Sequence, residues 1–374
     1  MFHYYQPTKI HFGTGLLNSL GKVCCPYGKT CLLVTTPDAP LQPLYDRVKR
    51  LLEDAGICVF HFDKVEPNPS VEIVEQGFIF LKQHPADFVL AVGGGSSIDT
   101  AKAIAFTYGK DQIDWDEIFA SYDSPFVYYP SYSERHLPLL SVPTTSGTGS
   151  QVTQAAVITR GKEKITFFHP DNFSQETILD PELMLTLPKR MSAATGFDAF
   201  THAFESYINP KASYYSKMDS LEAMRLVVEN LPHVLEEPKL LKYREKMALA
   251  DTLAGRALAN SGASAPHPLS EIIGGIVHLP HGEALAVVFP AFIKQMKDQN
   301  PDKFQVVAKL FGKEDLYTGI VDFLKVLGLH KTLKDFGVNE EEFKEILASP
   351  VLDHLPFGSR DELERILKEA YGCH

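Results

Sequence analysis

Cysteine is scarce in this chain. Its 374 residues include five, Cys24, Cys25, Cys31, Cys58 and Cys373, an odd and scattered set with no C-x-x-C spacing. That argues against a disulfide framework and a cysteine-built zinc site, and leaves ordinary reduced thiols. No apolar run nears the roughly 20 residues of a membrane span. Met1-Phe-His-Tyr-Tyr-Gln-Pro7 lacks the charged-then-apolar pattern of a secretory signal, so the cytoplasm is the expected location. Basic residues are outnumbered, 36 against 47 acidic, for a net charge of -11, and no Lys/Arg-rich block occurs. Nucleic acid is therefore not an expected partner, and any anionic cofactor needs local help. Both the G-x-G-x-x-G fingerprint and the P-loop Lys-Ser/Thr are missing.

What is present is ample core. At 44% hydrophobic content, a chain this long favours two domains over one. From Lys29 to Pro143, β-rich runs (Cys31–Thr35, Ile57–His61, Phe88–Val92) alternate with helical ones (Leu41–Ala55, Ser70–Gln83, Ser97–Phe106). That alternation predicts βαβ units and a parallel sheet. After about Leu187 the pattern turns helical, with a 3.6-residue period over Met218–Asn230, Lys242–Asn260 and Asp361–Tyr371. The expected fold is an α/β domain over 1–187 followed by an all-helical domain over 188–374, with a boundary at Leu187-Pro188.

Two segments read as anion or ligand loops. Phe88 to Lys102 is an apolar strand, then Gly93-Gly94-Gly95, then a helix start whose free N–H groups and partial positive charge suit an oxyanion. Ser96 with Asp99 also fits a capping-box variant. The second loop, Pro143 to Thr153, follows the strand-like Leu137–Val142, and eight of its eleven residues are glycine or carry a hydroxyl. A strand end in an α/β domain is where ligands bind, although a solvated turn has the same composition.

A third pattern suits a metal. Asp198 and His202 stand at i, i+4 in an apolar-periodic stretch, on one helix face. His267 and His281 are fourteen positions apart, a separation of roughly 21 Å in an unbroken helix. To share an ion with them the chain must turn back, and Gly274-Gly275 and Leu279-Pro280 supply permissive and helix-breaking residues. One carboxylate with three imidazoles suits Fe²⁺ or Zn²⁺ better than Mg²⁺ or Ca²⁺.

Gly93-Gly-Gly-Ser-Ser-Ile-Asp-Thr-Ala-Lys102, Pro143-Thr-Thr-Ser-Gly-Thr-Gly-Ser150, Gly196-Phe-Asp-Ala-Phe-Thr-His-Ala-Phe-Glu205 and His281-Gly282 together resemble the iron-containing (group III) alcohol dehydrogenases over nearly the whole chain. The resemblance implies an N-terminal dinucleotide-binding domain, a helical metal-binding domain, a metal in the cleft between them and a homodimer. It implies a metal-dependent oxidoreductase passing hydride between NAD(P) and a small alcohol or aldehyde. The metal ligands fall on Asp198, His202, His267 and His281. The pyrophosphate loop falls on Gly94, Gly95, Ser96 and Asp99. Thr144, Thr145, Thr148 and Ser150 line the ribose and nicotinamide end, and Lys164 takes the place of a cofactor-side lysine, an exposed strand lysine being its alternative.

Three positions depart from the family pattern. Glu271 replaces a histidine near the substrate, either as a pocket carboxylate or as a helix-surface glutamate. Gln151 replaces a glutamate. Thr36 stands where NAD-preferring members place an aspartate for the ribose hydroxyls, so NADPH is expected to serve at least as well as NADH. The runner-up function is a dehydroquinate-synthase-like lyase, which needs a basic pocket where Ser261 to Pro266 is small and uncharged.

Overall fold

The computed structural model describes residues 2–127, 129 and 135–372, and Cys373 lies outside them. The chain forms two compact units, one of Tyr5–Thr145 with Gly149–Leu185, the other of Met1–Tyr4, Ser146–Thr148 and Thr186–His374.

Among the described residues the first unit carries eight strands, β1 (Lys9–Phe12), β2 (Thr30–Val34), β3 (Cys58–Phe62), β4 (Phe88–Gly93), β5 (Leu139–Pro143), β6 (Ala155–Arg160), β7 (Glu163–Phe168) and β8 (Glu176–Leu179). Its helices are α1 (Leu20–Cys24), α2 (Gln42–Asp54), α3 (Val71–Gln83), α4 (Gly95–Thr107) and α5 (Trp115–Ser121). Six strands form one sheet in the order β1-β8-β5-β4-β2-β3, every pairing parallel, and β6 and β7 form an antiparallel hairpin. β4 is covered on both faces, which is why Phe88–Val92 is apolar at every position. Alternate residues feed separate cores. Leu32, Val34, Val89 and Ala91 join one, and Cys31, Leu33, Phe88, Leu90 and Val92 join the other.

Strand order fixes where a ligand fits. From β2 the chain moves outward to β3, then returns past β2 to β4, so the direction of winding reverses between β2 and β4. The crevice at the carboxyl ends of two such strands is the usual ligand site of a doubly wound sheet. Here those ends carry Thr35-Thr36 and Gly93-Gly94-Gly95.

The second unit is all helical: α6 (Lys189–Ile208), α7 (Tyr214–Glu236), α8 (Leu241–Ser261), α9 (Pro266–Val277), α10 (His281–Met296), α11 (Pro301–Leu310), α12 (Leu316–Leu327), α13 (Glu340–Leu347) and α14 (Arg360–Tyr371). Capping boxes at Ser213, Asn339 and Ser359 start α7, α13 and α14. On α6, Phe197, Phe200 and Phe204 form one stripe, fully buried among Phe289 and other apolar side chains. Burial of each ring is worth about 1.5–3 kcal/mol. The neighbouring stripe of α6 is polar and equally buried, and it holds Asp198, His202 and Glu205. Among the described residues no helix is long and apolar enough to cross a membrane.

Candidate metal centre and cofactor cradle

Asp198, His202 and Glu205 share a face of α6 because they stand at i, i+4 and i+7. His267 and His281 reach the same place from α9 and α10. The reversal between those helices occurs at His278, in the left-handed region at φ 55°, and at Pro280, extended just before α10. Gly274 and Gly275, read from sequence as part of the turn, stay buried inside α9. His278 to Pro280 does the turning: the left-handed His278 ends α9, and Pro280 cannot donate the N–H that would continue a helix.

Asp198 Oδ1 lies 3.5 Å from His267 Nε2, 3.6 Å from His202 Nδ1 and 3.7 Å from His281 Nε2. Ligand atoms of Asp198, His267 and His281 fall within 4.8 Å of one another. His202 is not in that group of three; its ring stacks on His267, centroids 4.3 Å apart, and its Nδ1 lies 3.1 Å from Gly147 O. Asp198 Oδ1 and His267 Nε2 are both buried without a hydrogen-bond partner. Polar atoms left this way are costly, and a cation placed among them relieves both. The donor set, carboxylate plus imidazoles, suits Fe²⁺ or Zn²⁺.

The protonation states agree. Burial alone would raise Asp198, but the surrounding imidazoles hold it at about 2, and burial pushes His202 down to about 4. Both are in ligand form at neutral pH. Burial would also lower His267, yet Glu205 and Asp198 outweigh it and push its pKa up. The metal-free protein therefore keeps on His267 a proton that an entering cation must displace. Metal uptake at neutral pH is expected to release close to one proton per ion, and affinity should rise with pH through this range. Calorimetry in buffers of different ionisation enthalpy measures it, and a proton count near zero would contradict the assignment.

Two orienting residues were not legible as such. Glu205, fully buried, accepts from His267 Nδ1 at 2.6 Å and from Ser264 N at 2.6 Å. The Ser270 hydroxyl donates to His267 O at 2.7 Å and takes the Nδ1–H of His281 at 3.2 Å. Each bond puts the hydrogen on Nδ1 and leaves Nε2 for a ligand role, as in carboxylate-histidine-metal arrangements. Their only sequence signal was helical spacing, seven after Asp198 and three after His267. Glu271 lies on α9 one turn past His267, partly exposed.

The glycine loops belong to the crevice at the sheet's carboxyl edge. Gly93, at φ 154°, ends β4 beside Pro143 of β5, and Thr144 N donates to Gly93 O at 2.9 Å. A Cβ at Gly93 would overlap the Ser97 side chain, and one at Gly94 would crowd Thr145. Gly94 is the N-cap of α4 and no side chain caps it. The capping-box alternative for Ser96 and Asp99 is thus not realised, and the first turn keeps the free N–H groups that suit a pyrophosphate.

Asp99 is engaged elsewhere. It accepts from Ser150 Oγ at 2.5 Å and Val157 N at 3.1 Å, tying the second loop and β6 to α4. Beside it Lys102, fully buried, donates to Ser150 Oγ, Thr153 Oγ1 and Ala155 O at 2.8, 3.1 and 2.6 Å. Burial lowers its pKa to about 8 despite Asp99 nearby. The only sequence signal of Lys102 is its place at the end of the Gly93–Lys102 motif. Lys164 sits within the β6–β7 hairpin opposite Thr159, partly exposed. At the end of β2, Tyr45 OH donates to Thr36 Oγ1 at 2.9 Å, and Thr36 Oγ1 donates to Asp38 Oδ2 at 2.8 Å. The Thr36 hydroxyl hydrogen is therefore already committed to a carboxylate. Thr148, with Ser146 and Gly147, groups with the helical unit.

Residues 7–181 match the family described as iron-containing alcohol dehydrogenase, and residues 192–371 match the C-terminal part of the same family. A 1,3-propanediol dehydrogenase of Klebsiella pneumoniae is 32% identical over 99% of both chains. An NADPH-dependent butanol dehydrogenase of Clostridium saccharobutylicum is 30% identical over 99% of this chain and 98% of its own. Among solved structures, an archaeal halo-thermophilic alcohol dehydrogenase from a Red Sea brine pool superposes with a TM-score of 0.90 at 28% identity, covering 99% of each chain. The chain belongs to the iron-containing alcohol dehydrogenase family, and its activity is the family's metal-dependent, NAD(P)-linked interconversion of small alcohols and aldehydes.

Proposed function

We propose that Asp198, His202, His267 and His281 hold one Fe²⁺ or Zn²⁺, and that the enzyme reduces short aldehydes and oxidises the matching primary alcohols. The observation that carries this is the buried, unpartnered pair Asp198 Oδ1 and His267 Nε2, with His281 Nε2 close by. Lewis acidity at the substrate oxygen is what a bound divalent ion supplies, and hydride exchange with the carbinol carbon is what the nicotinamide supplies. The chain's own residues do the rest. Glu205 and Ser270 fix the imidazoles of His267 and His281, and the first turn of α4 at Gly94, Gly95 and Ser96 receives the pyrophosphate. Asp99 and Lys102 act on the cofactor indirectly, by bracing Ser150 and Thr153; Thr144, Thr145, Thr148 and Lys164 are assigned to the ribose and nicotinamide side. The names of the relatives, a propanediol and a butanol dehydrogenase, support a short alcohol as substrate. Glu271 takes the family histidine's position beside it. The family resemblance supports a homodimer.

For cofactor choice, the absence of a carboxylate at Thr36 supports NADPH being used at least as well as NADH. A second reading rests on one contact, since Thr36 holds the Asp38 carboxylate at 2.8 Å, two residues past the usual position. In that reading Asp38 grips the ribose and NADH is preferred. Steady-state kinetics with both cofactors decide it. A preference for NADH of about a hundredfold or more in kcat/KM assigns the ribose to Asp38. Otherwise Thr36→Asp should move preference toward NADH, since a like-charge encounter with the 2′-phosphate costs several kcal/mol.

A further inference from the structure

Gly147 lies in the middle of the second glycine-rich loop, and both polar ends of its peptide units are engaged with the helical unit. A Cβ at this position would sit 2.6 Å from both Thr195 Cβ and Thr195 O on α6, so only glycine lets the backbone lie this close, less than one turn before Asp198. Its N–H donates to Asp251 Oδ1 at 2.6 Å, and its carbonyl accepts from His202 Nδ1 at 3.1 Å. Asp251 comes from α8 and is 1% exposed. It is not among the grouped ligand atoms. A carboxylate buried so deeply is tolerated only where hydrogen bonds compensate its desolvation.

We propose that Asp251 is a positioning residue for the metal ligand His202, acting through the backbone of Gly147. Asp251 holds the Gly147 N–H and so fixes the residue against α6. The carbonyl of the same residue then faces His202, keeps the imidazole hydrogen on Nδ1, and leaves the Nε2 lone pair for the ion. This is the carboxylate-histidine-metal arrangement with a glycine inserted between carboxylate and imidazole. It gives His202 what Glu205 gives His267 directly. The inference rests on the metal reading proposed above.

Metal-stripped full-length protein titrated with Co²⁺, followed by visible absorption, separates the two. Asp251→Ala should weaken Co²⁺ binding by about 10–100-fold, the usual effect of losing an outer-shell partner, and should change the absorption bands because one imidazole is no longer aligned. Asp251→Asn keeps an oxygen acceptor for the Gly147 N–H and should bind Co²⁺ with nearly the parent affinity and spectrum. Parent affinity and spectrum in Asp251→Ala would overturn the inference while leaving the metal reading intact. Equal losses in the alanine and asparagine variants would also overturn it, by assigning Asp251 to the fold through its charge. A parent protein that binds no Co²⁺ would overturn both.

Discussion

His267→Ala is expected to lose the metal and at least about a hundredfold in kcat/KM for aldehyde reduction. The magnitude follows from the several kcal/mol a Lewis acid contributes to charge stabilisation, at 1.36 kcal/mol per factor of ten. The same change leaves Glu205 fully buried without the imidazole it pairs with at 2.6 Å. Breaking a buried pair by removing one partner costs about 3–5 kcal/mol, so Tm should fall as well. Adding Glu205→Gln removes the orphan charge, and the double variant should recover much of the stability while regaining neither metal nor turnover. Elemental analysis together with thermal unfolding separates these effects. A single variant with parental metal content and parental turnover would dismiss His267 as a ligand.

Gly95→Val is expected to spare the fold and the metal while cofactor affinity collapses. Gly95 is the first residue of α4 and is not in the left-handed region, so valine meets no backbone strain, and its helix propensity exceeds that of glycine. What it adds is a branched side chain where a pyrophosphate must approach the free N–H groups of the first turn. Each hydrogen bond to a charged group is worth about 1.5–3 kcal/mol. Loss of even one therefore weakens binding by roughly ten- to a hundredfold. Fluorescence titration with NADH and NADPH reads the change. An unaltered dissociation constant in a folded variant with normal metal content would remove this loop from the site.

The parallel sheet was legible because strands covered on both faces must be apolar throughout, as at Phe88–Val92. The β6–β7 hairpin has only a weak sequence signal because one of its faces alone is well buried, and Lys162, Glu163 and Lys164 interrupt the apolar pattern. In the helical half the 3.6-residue period placed the helices, but local breaker signals misled. Gly274-Gly275, permissive residues expected in the turn, lie inside α9, held helical by tertiary packing. Asp198 and His202 could be paired because helix geometry links i and i+4. The residues that orient the ligands could not, since Glu205 and His267 are 62 positions apart and Gly147 and Asp251 are 104 apart. Only the fold brings such partners together.

Metal dependence is the centre of the account, and stripping and restoring the ion tests it most directly. The chelator-treated protein should bind NADPH or NADH yet fail to oxidise it in the presence of a short aldehyde. Stepwise addition of Fe²⁺ or Zn²⁺ should restore aldehyde-dependent cofactor oxidation in proportion to bound metal, levelling off at one ion per chain. Full turnover by protein shown by elemental analysis to be free of metal would contradict it.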